Sequence, residues 1–405
     1  MSTASGTAVT VGVPREVLEG ERRVAMSPAA LPALVKAGAR VVVESGAGAA
    51  AGFTDQAYVD KGAEIGSRAD ALGADVVAMV RVTPEAGLDQ LRSGQVVVGM
   101  AAPFATPEVS RQVAGRGATL FALELVPRTS RAQSMDVLSS QANVAGYKAV
   151  LLAASNMPKM FPLLTTAAGT IPPAKVFVVG AGVAGLSAIA TSRRLGAVVE
   201  AYDVRPAVKE EVQSLGARFV ELPLETGQEG PGSGAYAQQL SEETLRKQRE
   251  LLAKTVAGSD VVITTAQVQG AKAPVIVTEE MVRGMSPGSV VVDLAAEQGG
   301  NCEATVAGET VDVGGVSVIG PVNLPGTIPA HASLMYAKNV ANFLGLMLKD
   351  GAVNPTVEDD IVRESRVAHG GEVVNARVRE MLGLDPMPAP EPDPAPAETP
   401  EEVAG

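Results

Sequence analysis

One glycine pattern constrains this chain more than any other feature. Gly180-Ala-Gly-Val-Ala-Gly185 follows the apolar run Lys175-Val-Phe-Val-Val179 and opens a breaker-free stretch, Val183 to Leu195, that Gly196 stops. A strand, a glycine turn and a helix in that order build a cradle for a nucleotide pyrophosphate. Gly180 permits the tight turn, Gly182 lets the backbone approach the phosphates at the positive helix N-terminus, and Gly185 lets helix and strand pack closely. The next apolar run, Val198 to Tyr202, ends at Asp203, whose carboxylate suits the ribose hydroxyls of an adenosine. That carboxylate repels a 2′-phosphate, which favours NAD over NADP; Arg205, two residues on, works against the preference. The nucleotide is expected against Gly180, Gly182, Val183, Gly185, Asp203, Val204 and Arg205.

The rest of the chain repeats the same alternation. Val9–Val13, Val41–Val43, Asp75–Val80, Val96–Met100 and Thr119–Glu124 read as strands with helical stretches between them. Ser27-Pro28 reads as a helix cap followed by proline in the first turn, with Gly38 as the stop. Val137 to Ser155 has few breakers and reads as a long helix, and Pro158, Pro162 and Pro172-Pro173 mark a boundary. A further helix, about His331 to Leu348, carries Leu334, Ala337, Val340, Ala341, Leu344 and Met347 at near-helical spacing. The expected fold is α/β, with two Rossmann-like domains of parallel sheet joined by long helices. Residues 1–137 with 330–382 form the first domain and 138–329 the nucleotide-binding domain. The tail from Leu384 to Gly405 holds seven of the 27 prolines and six acidic residues with no Lys or Arg, so 383–405 is expected to be disordered.

The formal net charge of −12 argues against a nucleic-acid surface and against docking on anionic lipid. A single cysteine, Cys302, excludes an internal disulfide or a multi-cysteine metal site, and two histidines, His331 and His369, exclude a His-rich one; no metal is expected. No basic-then-apolar leader opens the sequence, and the longest apolar run, Val176 to Ser192, is accounted for by the glycine motif rather than by a membrane span. The chain is expected to be cytoplasmic and to meet a membrane only through a partner.

A dehydrogenase that oxidises an alcohol or amine must also move a proton. His331 reads as a helix-start or surface residue and His369 as a solvated one near a C-terminal helical region. Asp136, Asp293 and Glu297 remain as carboxylate candidates. The residues thus describe a nucleotide-binding protein without an evident acid–base group.

At this point a resemblance enters. Arg128-Thr-Ser-Arg-Ala-Gln-Ser-Met-Asp-Val-Leu-Ser-Ser-Gln141 resembles the signature loop of the NAD(H)-binding component of proton-translocating nicotinamide nucleotide transhydrogenase. Pro14-Arg-Glu16, Glu21–Ala25, Thr166–Thr170, Leu195–Val199, Ser214–Ala217 and Val292–Cys302 are similar too, so the likeness runs from about Val9 to Leu348. The sister family is alanine dehydrogenase, which carries a Lys and a His on successive early strands for substrate and proton. The matching places here read Val80-Arg-Val82 and Val98-Gly-Met100, and the acid before Gln-Gly-Gly is Glu297 where the sister family has Asp.

The resemblance implies direct hydride transfer between two nicotinamide rings, which needs no proton carrier. It implies that Arg128 and Asp136 hold the nicotinamide end of NAD(H), with Ser139, Ser134 and Met135 beside them. It assigns Gln133 to the ribose of NADP(H) held by a partner subunit. Ala266 and Gln267 fall in Thr264-Thr-Ala-Gln-Val-Gln-Gly270, where the family usually has Thr-Thr-Ala-Leu-Ile-Pro-Gly. Pro223–Gln239, with Tyr236, matches a mobile loop that closes over the nucleotide. The implied assembly is a homodimer of this chain with separate NADP-binding and membrane-spanning subunits, peripheral to the membrane and coupled to proton translocation. The other readings are an alanine-dehydrogenase-like enzyme and an NAD(H)-binding regulatory module without catalysis.

Overall fold

The structure, a computed structural model, describes residues 8–221, 242–267 and 270–387. The expected nucleotide-closing loop with Tyr236, Gln269 and the tail from residue 388 lie outside them. The first sheet takes β1 (Thr10–Val13), β2 (Arg40–Glu44), β3 (Glu64–Gly66), β4 (Val76–Arg81), β5 (Val96–Met100) and β6 (Thr119–Ala122). An antiparallel hairpin follows, β7 (Leu164–Thr166) and β8 (Gly169–Ile171), exposed along both strands. The second sheet takes β9 (Lys175–Val179), β10 (Val198–Tyr202), β11 (Arg218–Phe219), β12 (Val261–Thr264), β13 (Val290–Asp293), β14 (Thr310–Val313) and β15 (Val316–Ile319). A short hairpin, β16 (Leu348–Lys349) and β17 (Ala352–Val353), precedes β18 (Arg366–His369) and β19 (Glu372–Val373), which return to the first sheet.

The two sheets share one plan. The first runs β3-β2-β1-β4-β5-β6-β18-β19 and the second β11-β10-β9-β12-β13-β15-β14. Both follow the Rossmann order, parallel throughout except for antiparallel strands at one edge. The sequence explains the parallel interior: Val76-Val-Ala-Met-Val80, Val96-Val-Val98 and Val290-Val-Val292 are buried on both faces, so they are continuously apolar rather than alternating.

Two long helices connect the domains. Val137–Asn156 begins in the first core at Val137 and ends in the second through Ala149, Val150 and Ala153. Pro329–Leu344 gives Tyr336, Ala337, Val340, Phe343 and Leu344 to the first core. A buried ionic knot pins the joint. The Arg23 guanidinium reaches both Glu21 oxygens, at 2.8 and 2.6 Å, then Gln141 on the long helix at 2.8 Å and Asn323 at 3.1 Å. Breaking such a pair from one side strands a buried charge, which is strongly destabilising.

The structure departs from the sequence reading in five places. Ser27 sits at the start of a 3-10 turn, Pro28–Ala30, but its hydroxyl caps nothing; the Ser27 carbonyl, not the side chain, closes the turn. β6 stops at Ala122, where Leu123–Leu125 turns away. The last bridging helix ends at Leu344, and Leu348 is already in β16. Leu334 lies on the exposed side of that helix. His369 is in a strand, half-buried, with Nδ1 2.9 Å from the Thr119 hydroxyl, and burial together with nearby Arg366 holds its pKa below the ordinary value.

Candidate nucleotide site

The glycine motif sits at the C-terminal end of β9, next to β12, where the strand order reverses and ligands of this fold class bind. Gly180 has φ +96°, which only glycine adopts without strain. A Cβ on Gly185 would lie 1.8 Å from the Gly180 carbonyl oxygen, so helix and turn are in direct backbone contact. A Cβ on Gly182 would meet nothing within 4 Å. Gly182 is the N-cap of the Val183–Arg194 helix and offers no side-chain cap, which leaves the first-turn amides open toward that free space. Open amides at a helix N-terminus that faces free space fit a pyrophosphate. The long bridging helix fixes this one from behind: a Cβ on Gly146 would lie 2.1 Å from the Ala184 carbonyl oxygen, and Ser187 donates to the Asn143 carbonyl at 2.7 Å.

Asp203 is more engaged than the sequence suggests. One of its oxygens accepts from the Ala181 amide at 2.7 Å and from Arg205 Nη2 at 3.0 Å. The other accepts from the Arg205 amide at 2.8 Å and Nε at 3.0 Å. Burial pushes its pKa up, but Arg205 and the two amides outweigh burial and hold it below the usual value. Asp203 therefore first ties the glycine turn to the end of β10. Val204 projects into solvent beside it.

Across the switch point, the segment after β12 is fixed by a polar hub that sequence reasoning missed. The Thr265 hydroxyl donates to the Gly180 carbonyl at 3.0 Å. Asn301 receives the Ala266 amide at 2.9 Å and returns a bond to its carbonyl at 2.8 Å, and Gln267 donates to the Leu294 carbonyl. Asp293, fully buried, accepts from the Thr264 and Thr305 hydroxyls and from the Ala295, Asn301 and Cys302 amides. All of its acceptor capacity serves the scaffold, so it is no proton carrier. Glu297, exposed, accepts the Asn323 amide at 2.6 Å. Among the described residues, no group of His, Cys, Asp and Glu could hold a metal.

The loop before the long helix forms a 3-10 turn, Ser130–Met135. Ala132 and Met135 point into the first core, so only the Met135 backbone is offered to a ligand. Arg131 binds Asp359 at 2.6 and 3.1 Å and also reaches Asp360. The Ser134 carbonyl accepts from Asn339 and Asn342 at 2.8 and 3.1 Å. Asp136 caps the long helix by accepting from the Ser139 amide and hydroxyl. Between these anchors Arg128 and Gln133 stay exposed, and Arg128 has no hydrogen-bond or ion-pair partner among the described residues. Arg128 and Asp136 line a cleft of about 240 Å³ together with Phe104, Glu124, Leu125, Val126, Pro127, Leu138 and Arg377. At the rim of the cleft Arg377 donates to the Gly270 carbonyl of the second domain, and in that same domain Thr265 donates to the Gly180 carbonyl of the cradle. Neither histidine lines it.

A Rossmann-ordered sheet with an open glycine cradle at its switch point defines a dinucleotide-binding α/β protein. The chain belongs to the alanine dehydrogenase/PNT family: residues 12–145 match its N-terminal domain and 149–376 its C-terminal domain. It is 45% identical over 368 residues to the NAD(P) transhydrogenase subunit alpha of Cereibacter sphaeroides, covering 90% of this chain and 70% of that one. It is 45% identical over 374 residues to the first part of the Rhodospirillum rubrum NAD(P) transhydrogenase alpha subunit, covering 90% of this chain and 97% of that one. A solved transhydrogenase structure from Sinorhizobium meliloti superposes with a TM-score of 0.80 at 46% identity, over 91% of this chain and 99% of that one.

Proposed function

We propose that this chain is the NAD(H)-binding subunit of a proton-translocating transhydrogenase, passing hydride between NAD(H) on its own surface and NADP(H) on a partner subunit. The observation that carries the reading is the anchored loop. Arg131, Ser134 and the two buried side chains immobilise the turn, while Arg128 and Gln133 face outward unengaged beside the cleft. Exposed polar groups on a rigid support suit recognition that is completed by another molecule. NADH, when bound, supplies the hydride; everything else is placement.

The open amides after Gly182 hold the pyrophosphate, and Asp203 meets the adenosine ribose. Arg128 and Asp136 orient the nicotinamide end within the cleft, and Gln133 reaches toward the second nucleotide. Direct transfer between rings needs no proton at the reacting carbon. In keeping with that, Asp293 is committed to the scaffold and neither histidine lines the cleft. Holding two rings within reacting distance is then the main catalytic contribution of the protein. The chain assembles with NADP-binding and membrane-spanning partners and forms a homodimer; no helix among the described residues is long and apolar enough to cross a membrane.

The test combines the purified chain with an NADP-binding partner subunit and follows transfer from NADH to an NADP⁺ analogue. Transfer that requires both proteins supports the reading. Turnover of NADH with pyruvate and ammonia by this chain alone would replace it with an alanine dehydrogenase.

A further inference from the structure

One side chain from the C-terminal segment crosses between the domains. Asn375 caps the Ala376–Met381 helix through the Val378 amide at 3.1 Å, and Val378 is buried in the first domain with Val109 and Val113. That seats the base of Arg377 firmly. Its guanidinium carbon lies 4.1 Å from the centroid of the Phe104 ring, and its Nη2 donates to the Gly270 carbonyl of the second domain at 2.9 Å. Gly270 has φ +70°, and a Cβ there would lie 2.8 Å from the Phe104 ring and 2.9 Å from Arg377 Nη2. The two domains therefore touch at a point where only glycine fits. Phe104 is itself held: Glu124, buried beneath, accepts from the Ala101 and Ala102 amides at 3.2 and 2.6 Å and shapes the turn that presents the ring. The same Arg377, Phe104 and Glu124 line the cleft that holds Arg128 and Asp136.

We propose that Arg377 is a positioning residue that latches the first domain onto Gly270 of the second domain and thereby sets the width of the nicotinamide end of the cleft. The role rests on the function proposed above, since the cleft matters only if a nicotinamide sits in it. On the second domain's side Ala266 is held by Asn301, and Thr265 by the Gly180 carbonyl. Arg377 supplies the opposing hold, and a planar cation both stacks on the ring and donates along the edge, which a lysine cannot do. Arg377 is exposed, so its replacement leaves the fold intact.

Two readouts test the latch. In the free chain, hydrogen exchange of peptides around Ala266 and Gly270 should speed up by about 10-fold in Arg377→Ala, the loss expected for one charge-assisted hydrogen bond. In the complex with the partner subunit, single-turnover hydride transfer should fall about 10-fold or more because a small misplacement is expensive in rate, while NADH affinity changes less than about 3-fold. Arg377→Lys should recover only part of the rate. Phe104→Leu should add little to Arg377→Ala if the two form one device. Unchanged exchange at Gly270 overturns the latch. Faster exchange with normal transfer overturns the positioning role. If the unmodified complex transfers no hydride at all, the function proposed above fails and the positioning role with it, while exchange still decides whether the contact couples the domains.

Discussion

Asp203 and Arg205 form a closed pair: three of the four hydrogen bonds that reach the Asp203 carboxylate come from Arg205, through its amide, Nε and Nη2. Both partners of the nucleotide-selection argument thus occupy each other. A ribose hydroxyl can reach Asp203 only by displacing the guanidinium, whose side chain is 58% exposed and free to swing.

Nucleotide choice follows from that pair. Arg205→Ala should leave NADH affinity unchanged or raised and should weaken NADPH, widening the preference by about 10-fold, the weight of one charge-assisted contact. Asp203→Ala should narrow it. Calorimetric titration of both nucleotides against both variants checks the signs.

The glycines of the cradle should separate binding from stability. Gly182→Ala places its methyl in open space at an ordinary φ of −78°, so stability should stay within about 0.5 kcal/mol while NADH affinity drops. Gly185→Ala drives a methyl against the Gly180 carbonyl and should destabilise the fold by about 3 kcal/mol or more. Denaturant unfolding beside NADH titration distinguishes the two.

Much of this was readable from residue order alone. The runs at Val96–Met100, Lys175–Val179 and Val198–Tyr202 have the strand limits that the structure shows; the first two are buried and largely apolar, and the last two stop at Gly180 and Asp203. The spacing of Gly180, Gly182 and Gly185 gave the cradle. What escaped depends on distant partners. β18 carries no strong pattern of its own and exists because Arg366 and Ala368 pair with Phe121 and Leu120 of β6. Asp293 looks like a catalytic acid until five donors close around it, one from the end of β12 and four from the loop after β13. Arg377 has no local motif; its contact with Gly270 exists only in the folded chain.

Glu16 makes stability depend on pH. It is buried where the Val80 and Arg81 amides point at its carboxylate, and burial outweighs them, raising its pKa from 4.5 to about 7. The native state binds this proton more tightly than the unfolded chain, so the stabilisation is full below pH 4.5 and is lost as pH rises through about 7. The full loss amounts to about 3 kcal/mol at 1.36 kcal/mol per pKa unit. Glu16→Gln should flatten the fall in unfolding free energy between pH 5 and 8 relative to the parent. Parallel curves for both proteins would show that Glu16 does not titrate in this range.

Arg131 should affect catalysis more than folding. Its side chain is 51% exposed, and surface pairs of this kind contribute less than about 1 kcal/mol, so Arg131→Ala should unfold nearly as the parent does. Released from Asp359 and Asp360, the turn should present Gln133 less well, and hydride transfer in the complex should slow. High salt should reproduce part of that loss in the unmodified protein.

In the proposed function Gln133 serves a nucleotide held by another subunit. Gln133→Asn keeps the amide and shortens its reach by one methylene. The decisive measurement is the single-turnover rate of hydride transfer in the reconstituted complex, taken with NADH affinity for the subunit alone. NADH affinity should stay unchanged and the rate should fall by about 100-fold, the cost of a misplacement near 1 Å. A normal rate, or a loss of NADH affinity in equal proportion to the rate, would contradict it.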